Sequence, residues 1–528
     1  MFLRKIVKNL VITKYGPIIG NSYVLQDGVK VYEFLGIRFA APPTGKLRFE
    51  KPQAPNSWRK PMKVQAFGPS CVPCQGGFAE FSEDCLYLNI WTPSIAISNY
   101  PVVVYIHGGA YLAGSGEQDS ERIREVYARN GIVFVSIQYR LAFLGFLTLN
   151  STELPPNLGL WDQNWALQWV QQNIHNFGGD RKRVTIWGQS AGGSSVGQHT
   201  VSHKSQGLFA QVFEMSGSPL ADFARGQDVA ENSREIIARL GCSTRENVKD
   251  CLRLKSLNDF FAAVGTCLPN DFNFALFSPM VDGDFFEEQP EEGMKRLAAV
   301  PTLIGLNQIE GRSFTLSKGF PFSLSPKMFN KMTNETLIEW IKKWVTSKGY
   351  GKKADQATED IFKFYAHNHS NSSSNFWVEQ YAKLYSDYCF NVPQIREAVL
   401  KSNAKAKVWA FLFDHYNPAR WPTDWPCQGS AHSTEAPYCL RKPFFEMTND
   451  DKKVSKMMQN FILEFVKTGM PVIPSITWET FSDESLAYLS FKPTPTMEKG
   501  YFLDSYTFWT KTMTKYDYDF ITRRNWSR

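Results

Sequence analysis

Gly188-Gln189-Ser190-Ala191-Gly192 sets a serine between two glycines in the spacing G-x-S-x-G. A serine hydroxyl is a poor nucleophile until a base takes its proton, and a tight turn must hold it clear of its surroundings. The apolar run Val184-Thr-Ile-Trp187 precedes the motif and Gly193-Ser-Ser-Val-Gly-Gln-His199 follows it, so the pattern reads strand, turn, helix. The flanking glycines keep Cβ atoms out of the crowded turn. The helix start supplies backbone N–H groups, and that of Ala191 can face the negative oxygen of a tetrahedral intermediate. Upstream, His107-Gly108-Gly109-Ala110 follows directly on the apolar run from Pro101 to Ile106. Gly108 and Gly109 present N–H donors without obstructing side chains, and with Ala191 they make a set of oxyanion donors. His107 reads as support for that loop.

A strand–turn–helix nucleophile of this kind has its acid and then its histidine downstream. Of the eight histidines, six follow Ser190. His199 and His203 lie on or just past the nucleophile helix and should point away. His367 and His369 fall in a polar stretch. His432 sits in Gly429-Ser-Ala-His-Ser-Thr-Glu435, a loop of small residues beyond the apolar run from Val408 to Phe413, from which a base can reach over the sheet edge. His415, immediately behind that run, is the alternative. For the acid, Pro301-Thr-Leu-Ile-Gly-Leu-Asn-Gln-Ile-Glu310 places Glu310 in the loop after a strand, where a buried carboxylate would fix the imidazole tautomer. Asp282 and Asp284 compete, but Val281-Asp-Gly-Asp-Phe285 reads as a turn. The chemistry so described is acyl transfer through a covalent serine intermediate, which calls for neither a metal nor an organic cofactor.

Such a site needs a rigid sheet beneath it. Short β-branched runs predict strands at Pro101–Ile106, Ile132–Ile137, Val184–Trp187, Val212–Met215, Pro301–Gly305 and Val408–Phe413. Helical patterns alternate with them, which is the signature of a mostly parallel sheet. Trp161, Trp165 and Trp169 recur every four residues beside Ala166, Val170 and Ile174, a core-facing stripe that Gly178-Gly179 ends. A second apolar face, Val454, Met458, Phe461, Ile462 and Phe465, ends at Gly469. With no internal repeat and no linker rich in Pro, Gly or Ser, residues 1–528 read as one large domain.

Composition removes other classes of function. The chain has 528 residues and 58 Lys and Arg against 51 Asp and Glu, a formal charge of +7. The surplus is dispersed, with no basic run that would make a nucleic-acid surface. No apolar stretch is long enough for an integral membrane segment, and the first ten residues lack the apolar core of a signal peptide. The nine cysteines favour the opposite conclusion on compartment. Cys242 and Cys251 are nine apart, and Cys71 and Cys74 lie shortly before Cys85, spacings that suit small disulfide loops. Sequons begin at Asn150, Asn334, Asn368, Asn371 and Asn525. A secretory or extracellular setting and a cytoplasmic one both remain open expectations.

Several long motifs, in order, carry a resemblance. Phe34-Leu-Gly-Ile-Arg-Phe-Ala-Ala-Pro-Pro-Thr-Gly-Lys-Leu-Arg-Phe49, Ser82-Glu-Asp-Cys-Leu-Tyr-Leu-Asn-Ile90, Tyr139-Arg-Leu141, Asn157-Leu-Gly-Leu-Trp-Asp-Gln163, Phe177-Gly-Gly-Asp180 and Gly188–Gly193 follow one another. In these the chain resembles the type-B carboxylesterase/cholinesterase family along essentially its whole length. The resemblance implies an α/β-hydrolase fold, with a large, mostly parallel central sheet flanked by helices, acting on a small-molecule ester. It implies a triad of Ser190, Glu310 and His432 and oxyanion donors at Gly108, Gly109 and Ala191. It also implies disulfides Cys242–Cys251 and Cys85 to either Cys71 or Cys74. Relatives that serve only in adhesion typically lose a triad member, and all three are present here. Two departures bear on substrate. The family usually has Glu before the nucleophile, where this chain has Gln189, and the loop before Cys85 is short and carries no Trp between Cys71 and Cys85. Both speak against a choline ester, since cation–π contact is how an aromatic would hold a quaternary ammonium. The Gly-Gln-Ser-Ala-Gly variant is similar to that of juvenile hormone esterases, and an acylglycerol lipase would share the same triad.

Overall fold

The computed structural model describes residues 9–526 apart from 75–79, 97, 244–246, 266–274, 298–299, 318–319, 321, 368–371 and 424. His369 and the sequons at Asn368 and Asn371 lie outside the described residues.

Eleven strands of the described chain join in one sheet: β1 (Asn21–Val24), β2 (Lys30–Arg38), β3 (Tyr87–Thr92), β4 (Tyr100–Ile106), β5 (Val133–Ile137), β6 (Gly179–Gln189), β7 (Gln211–Met215), β8 (Thr302–Asn307), β9 (Val408–Phe413), β10 (Tyr488–Phe491) and β11 (Thr496–Glu498). Their spatial order is β11-β10-β9-β8-β7-β6-β4-β5-β3-β2-β1. Pairing is parallel from β10 through to β5 and antiparallel at both flanks. This is a large, mostly parallel sheet with helices packed on it.

The six expected strands correspond to β4 through β9, with ends shifted by a residue or two and β6 extended back to Gly179. The flanking strands were not expected, and the reason is physical. Central parallel strands are covered on both faces and read as unbroken apolar runs. β1 alternates partly buried and exposed residues, and β11 is mostly exposed, so neither carries that signal. β3 is nearly all buried, but Asn89 interrupts its run and spends its amide on Gly116 O and Ser136 Oγ.

The expected tryptophan stripe lies on α1 (Leu158–Asn173), where Trp169 is buried and Trp161 and Trp165 pack partly buried against the same core. After a short 3-10 turn, Gly178 ends the segment at φ 76°, a left-handed turn that suits glycine. Gly179 does not belong to that stop, since it already starts β6.

The sequence motifs that do no chemistry pin loops to this frame. Arg140 donates from its backbone N, Nε and Nη2 to Asp162 on α1, and both side chains are buried. Burial raises the Asp162 carboxyl, and Arg140 pulls it back down. Arg48 grips Glu83 and donates to the carbonyls of Leu252 and Lys255. Cys71 is joined to Cys85 and Cys242 to Cys251. The open choice for Cys85 is thus settled as Cys71. Cys74 is disulfide-bonded too. Among the described residues no helix is long and apolar enough to cross a membrane, and no cluster of His, Cys, Asp or Glu could hold a metal.

Candidate active site

β4 and β6 are neighbours although β5 follows β4 in the chain, because β5 turns to one side and β6 to the other. Strand order reverses here, and the loops beyond the carboxyl ends of such strands part to leave a crevice. Ser190 stands at the end of β6, and His107-Gly108-Gly109 at the end of β4.

Ser190 has φ 60° and ψ −127°, outside the regions ordinary residues occupy, and is buried. The next residue begins α2 (Ala191–Thr200). The turn persists because its neighbours leave no room for relaxation. A Cβ on Gly188 would lie 2.1 Å from Gly192 O, and one on Gly192 would lie 2.0 Å from Ile106 O. Ser190 N also donates to Met215 O at 2.8 Å, fixing the turn to β7.

The β4 loop comes directly against the nucleophile. A Cβ on Gly108 would sit 2.5 Å from Gln189 O and 2.8 Å from Ser190 Cβ. Among the described residues, the N–H groups of Gly108, Gly109 and Ala191 donate to no other group, although all three lie in tightly packed chain. His107 lies outside this chemistry. Its Nδ1 is 2.8 Å from Gly108 O, its ring stacks on Tyr139, and burial pushes its pKa down to about 4.

His432 Nδ1 donates to Glu310 Oε2 at 2.7 Å. Glu310 is fully buried just past β8, and its other oxygen accepts from Ser216 Oγ and Asn307 N, each at 2.6 Å. With Nδ1 protonated, Nε2 of His432 is the acceptor, and the Gln189 amide faces it at 3.3 Å. The Ser190 hydroxyl makes no hydrogen bond among the described residues, and its neighbour Gln189 is the residue that meets His432 Nε2. Phe314 and Phe390 flank the imidazole, with ring centroids 5.0 and 4.7 Å away.

The other candidates are committed elsewhere. His199 is buried between Ser205 Oγ and Gln163 Oε1, and burial lowers its pKa to about 3. His203 faces Glu287 near the surface. His367 lies by Phe364, away from the sheet crevice. His415 bonds Asp451. Asp282 accepts from the backbone of Asp284 and Phe286 and so shapes a turn, while Asp284 pairs with Lys51.

One residue was quoted in the sequence reading without a role of its own. Glu435, three positions after His432, is buried, and its Oε2 accepts from Asn307 Nδ2 at 2.8 Å. The same amide nitrogen lies 3.2 Å from Glu310 Oε1, so one asparagine bridges two buried carboxyls. Burial, and then the charge of Glu310, push the Glu435 carboxyl up. The only available signal was its place in the loop Gly429–Glu435.

A model described as "Carboxylesterase family" matches residues 7–509. Gut esterase 1 of Caenorhabditis briggsae is 34% identical, over 96% of this chain and 94% of that protein. An acetylcholinesterase of Bungarus fasciatus is 31% identical over 92% and 82%. Bile salt-activated lipase of Homo sapiens is 29% identical over 93% and 67%.

Proposed function

The chain belongs to the carboxylesterase family of serine ester hydrolases, and on that premise we propose that it cleaves neutral carboxylic esters through a Ser190–His432–Glu310 triad and an acyl-enzyme. Attack by Ser190 Oγ on the ester carbonyl carbon needs a proton acceptor, and His432 Nε2 is the nitrogen left free for it. Glu310 holds the ring by Nδ1 and offsets the charge of the imidazolium. The tetrahedral oxyanion is held by the N–H groups of Gly108, Gly109 and Ala191. His432 then protonates the departing alcohol oxygen as the intermediate collapses. A water, deprotonated by the same nitrogen, attacks the acyl carbon and releases the acid with Ser190 restored. None of these steps draws on a cofactor, and residues 1–528 act as one domain.

The observation that carries this reading is a strained serine packed against Gly108, whose neighbour Gln189 touches the histidine of a buried His–Glu pair. Preference for a neutral ester rests on Gln189, an amide where a cationic substrate would favour a carboxylate, and on the Trp-free segment between Cys71 and Cys85. The similarity to a bile salt-activated lipase makes acylglycerols the second substrate class.

Hydrolysis of p-nitrophenyl acetate and butyrate by the wild type and Ser190→Ala, with organophosphate titration, tests the proposal. The expected outcome is stoichiometric labelling of the wild type and at least about a thousandfold loss of kcat in the variant. Wild-type turnover by folded Ser190→Ala would end it. A choline ester cleaved better than its uncharged isostere would overturn the substrate preference.

A further inference from the structure

Arg312, two residues past Glu310, is 1% exposed and has no carboxylate partner among the described residues. Its Nη1 donates to Cys427 O at 3.0 Å. Its Nε and Nη2, however, are buried without any partner. These two N–H groups form one parallel fork of the guanidinium, the edge that grips a carboxylate with two hydrogen bonds.

Trp421 and Trp425 stack on each other 5.3 Å apart, and the guanidinium carbon lies 4.3 Å from the first ring and 5.4 Å from the second. Cation–π contact engages the faces of the guanidinium but leaves its in-plane N–H groups unmet. Trp421 Nε1, a third donor, is buried and unpartnered as well. Orphan donors of this kind are rare in native structures and costly unless an acceptor arrives. The residues that carry them, Arg312 and Trp421, line a cleft of about 90 Å³ with Trp425 and Cys427, and exposed Gln428 stands at its rim.

We propose that this cleft binds a small monovalent oxyanion, a carboxylate foremost, held by Arg312 Nε–H and Nη2–H and by Trp421 Nε1–H. All three unmet groups are donors, which selects an anion over a cation or a neutral ligand. The small volume admits acetate and excludes a long acyl chain. Nη1 of the same guanidinium already ties the segment after Glu310 to Cys427, five residues before His432. An anion there completes a tether between the acid-bearing and histidine-bearing loops. Carboxylates are also what ester hydrolysis releases, although the site stands on its own geometry.

Calorimetric titration of the purified full-length chain with sodium acetate, at constant ionic strength balanced by chloride, tests this without reference to activity. A saturable isotherm with millimolar Kd is expected, together with a rise in Tm of about 2 °C at ten times Kd. Nitrate, planar and singly charged, should compete with acetate, and phosphate should not. Arg312→Met should weaken binding at least tenfold. Should that variant fail to fold, Trp421→Phe keeps an aromatic ring and removes one donor, and it should raise Kd at least threefold. Absence of saturation in the wild type up to 100 mM, roughly a hundred times the expected Kd, overturns the proposal. So does an acetate Kd unchanged in the variants, and so does phosphate competing as well as nitrate.

Discussion

Two histidine–carboxylate pairs lie within a short reach of β9, and their heavy-atom distances are the same. His432 meets Glu310 at 2.7 Å, and His415 meets Asp451 at 2.7 Å, with both carboxylates fully buried. They differ in which nitrogen is spent and in what else the acid holds. His432 uses Nδ1 and keeps Nε2 facing Gln189, beside the nucleophile. His415 spends Nε2 itself. Asp451 also accepts from Tyr438, Asn417 and both the N–H and hydroxyl of Thr448, closing a capping box on the helix Asn449–Thr468. A buried His–carboxylate pair is therefore not a catalytic signature. Under the proposed mechanism, what separates the two is a second nitrogen left facing the residue beside Ser190.

Alanine at each histidine separates the pairs most sharply. His432→Ala should lower kcat by about 10³–10⁴-fold and, by stripping buried Glu310 Oε2 of its hydrogen bond, cost about 1–3 kcal/mol of stability. His415→Ala should keep turnover within about threefold of wild type and cost only about 0.5–1.5 kcal/mol of stability, because Asp451 Oδ1 keeps the hydroxyl of Tyr438. Similar activity losses in the two, measured on folded protein, would sink the distinction.

Amide substitution at the acids gives the next contrast. Glu310→Gln should lower kcat by about 10⁴-fold, because the wrong tautomer of His432 is then held. Asp451→Asn should act on stability alone. Although burial opposes it, the hydrogen bonds from Tyr438, His415 and Thr448 hold the Asp451 carboxyl down at about 2. A lowered carboxyl stabilises the fold above its unfolded value near 3.9 and loses that contribution as pH falls through 2. The gap in Tm between wild type and Asp451→Asn should thus be constant above about pH 5 and narrow below about pH 4. A gap that widens on acidification contradicts the assignment.

These contrasts show how much was legible beforehand. The turn at Ser190 and the glycine loop after β4 were readable because their geometry is local: a tight turn favours glycine, and glycine is visible in sequence. The parallel strands were readable because burial on both faces leaves long apolar runs. His432 was separable from His415 only by its surrounding loop of small residues, since the role of each ring is set by atoms far away in the chain. Glu435 could be quoted at the end of the same loop but given no role, its significance arising from Asn307, 128 residues earlier. Cys71 and Cys74 fit Cys85 equally by spacing, and only three-dimensional placement divides them.

Gln189 sharpens the comparison at its other end, because it contacts Nε2 of His432, the ring position that His415 spends on Asp451. A neutral amide there neither stabilises nor opposes an imidazolium. Gln189→Glu would set a negative charge about 3 Å from His432 Nε2. The acid limb of the kcat/KM profile should shift upward by about one pH unit, with a modest loss at pH 6 and near wild-type rates at pH 8. An unmoved limb would mean that the amide does not face the base during turnover.

The smallest expected effect concerns the second carboxyl that Asn307 ties to Glu310. Glu435 is raised by burial and by its neighbour's charge, so the folded protein holds this proton more tightly than the unfolded chain does. Its contribution to stability is full below the unfolded value near 4.3 and is lost as pH rises through the folded value. Glutamine has no proton to lose, and its oxygen can still accept from Asn307. Glu435→Gln should therefore gain Tm relative to wild type as pH is raised from 4 to 8, with kcat changed less than about threefold. The reason is that burial and the neighbouring charge make the neutral form of Glu435 the one the site accommodates. If the Tm difference is flat across that range, Glu435 is charged in the folded protein, and the two acids bridged by Asn307 share one role.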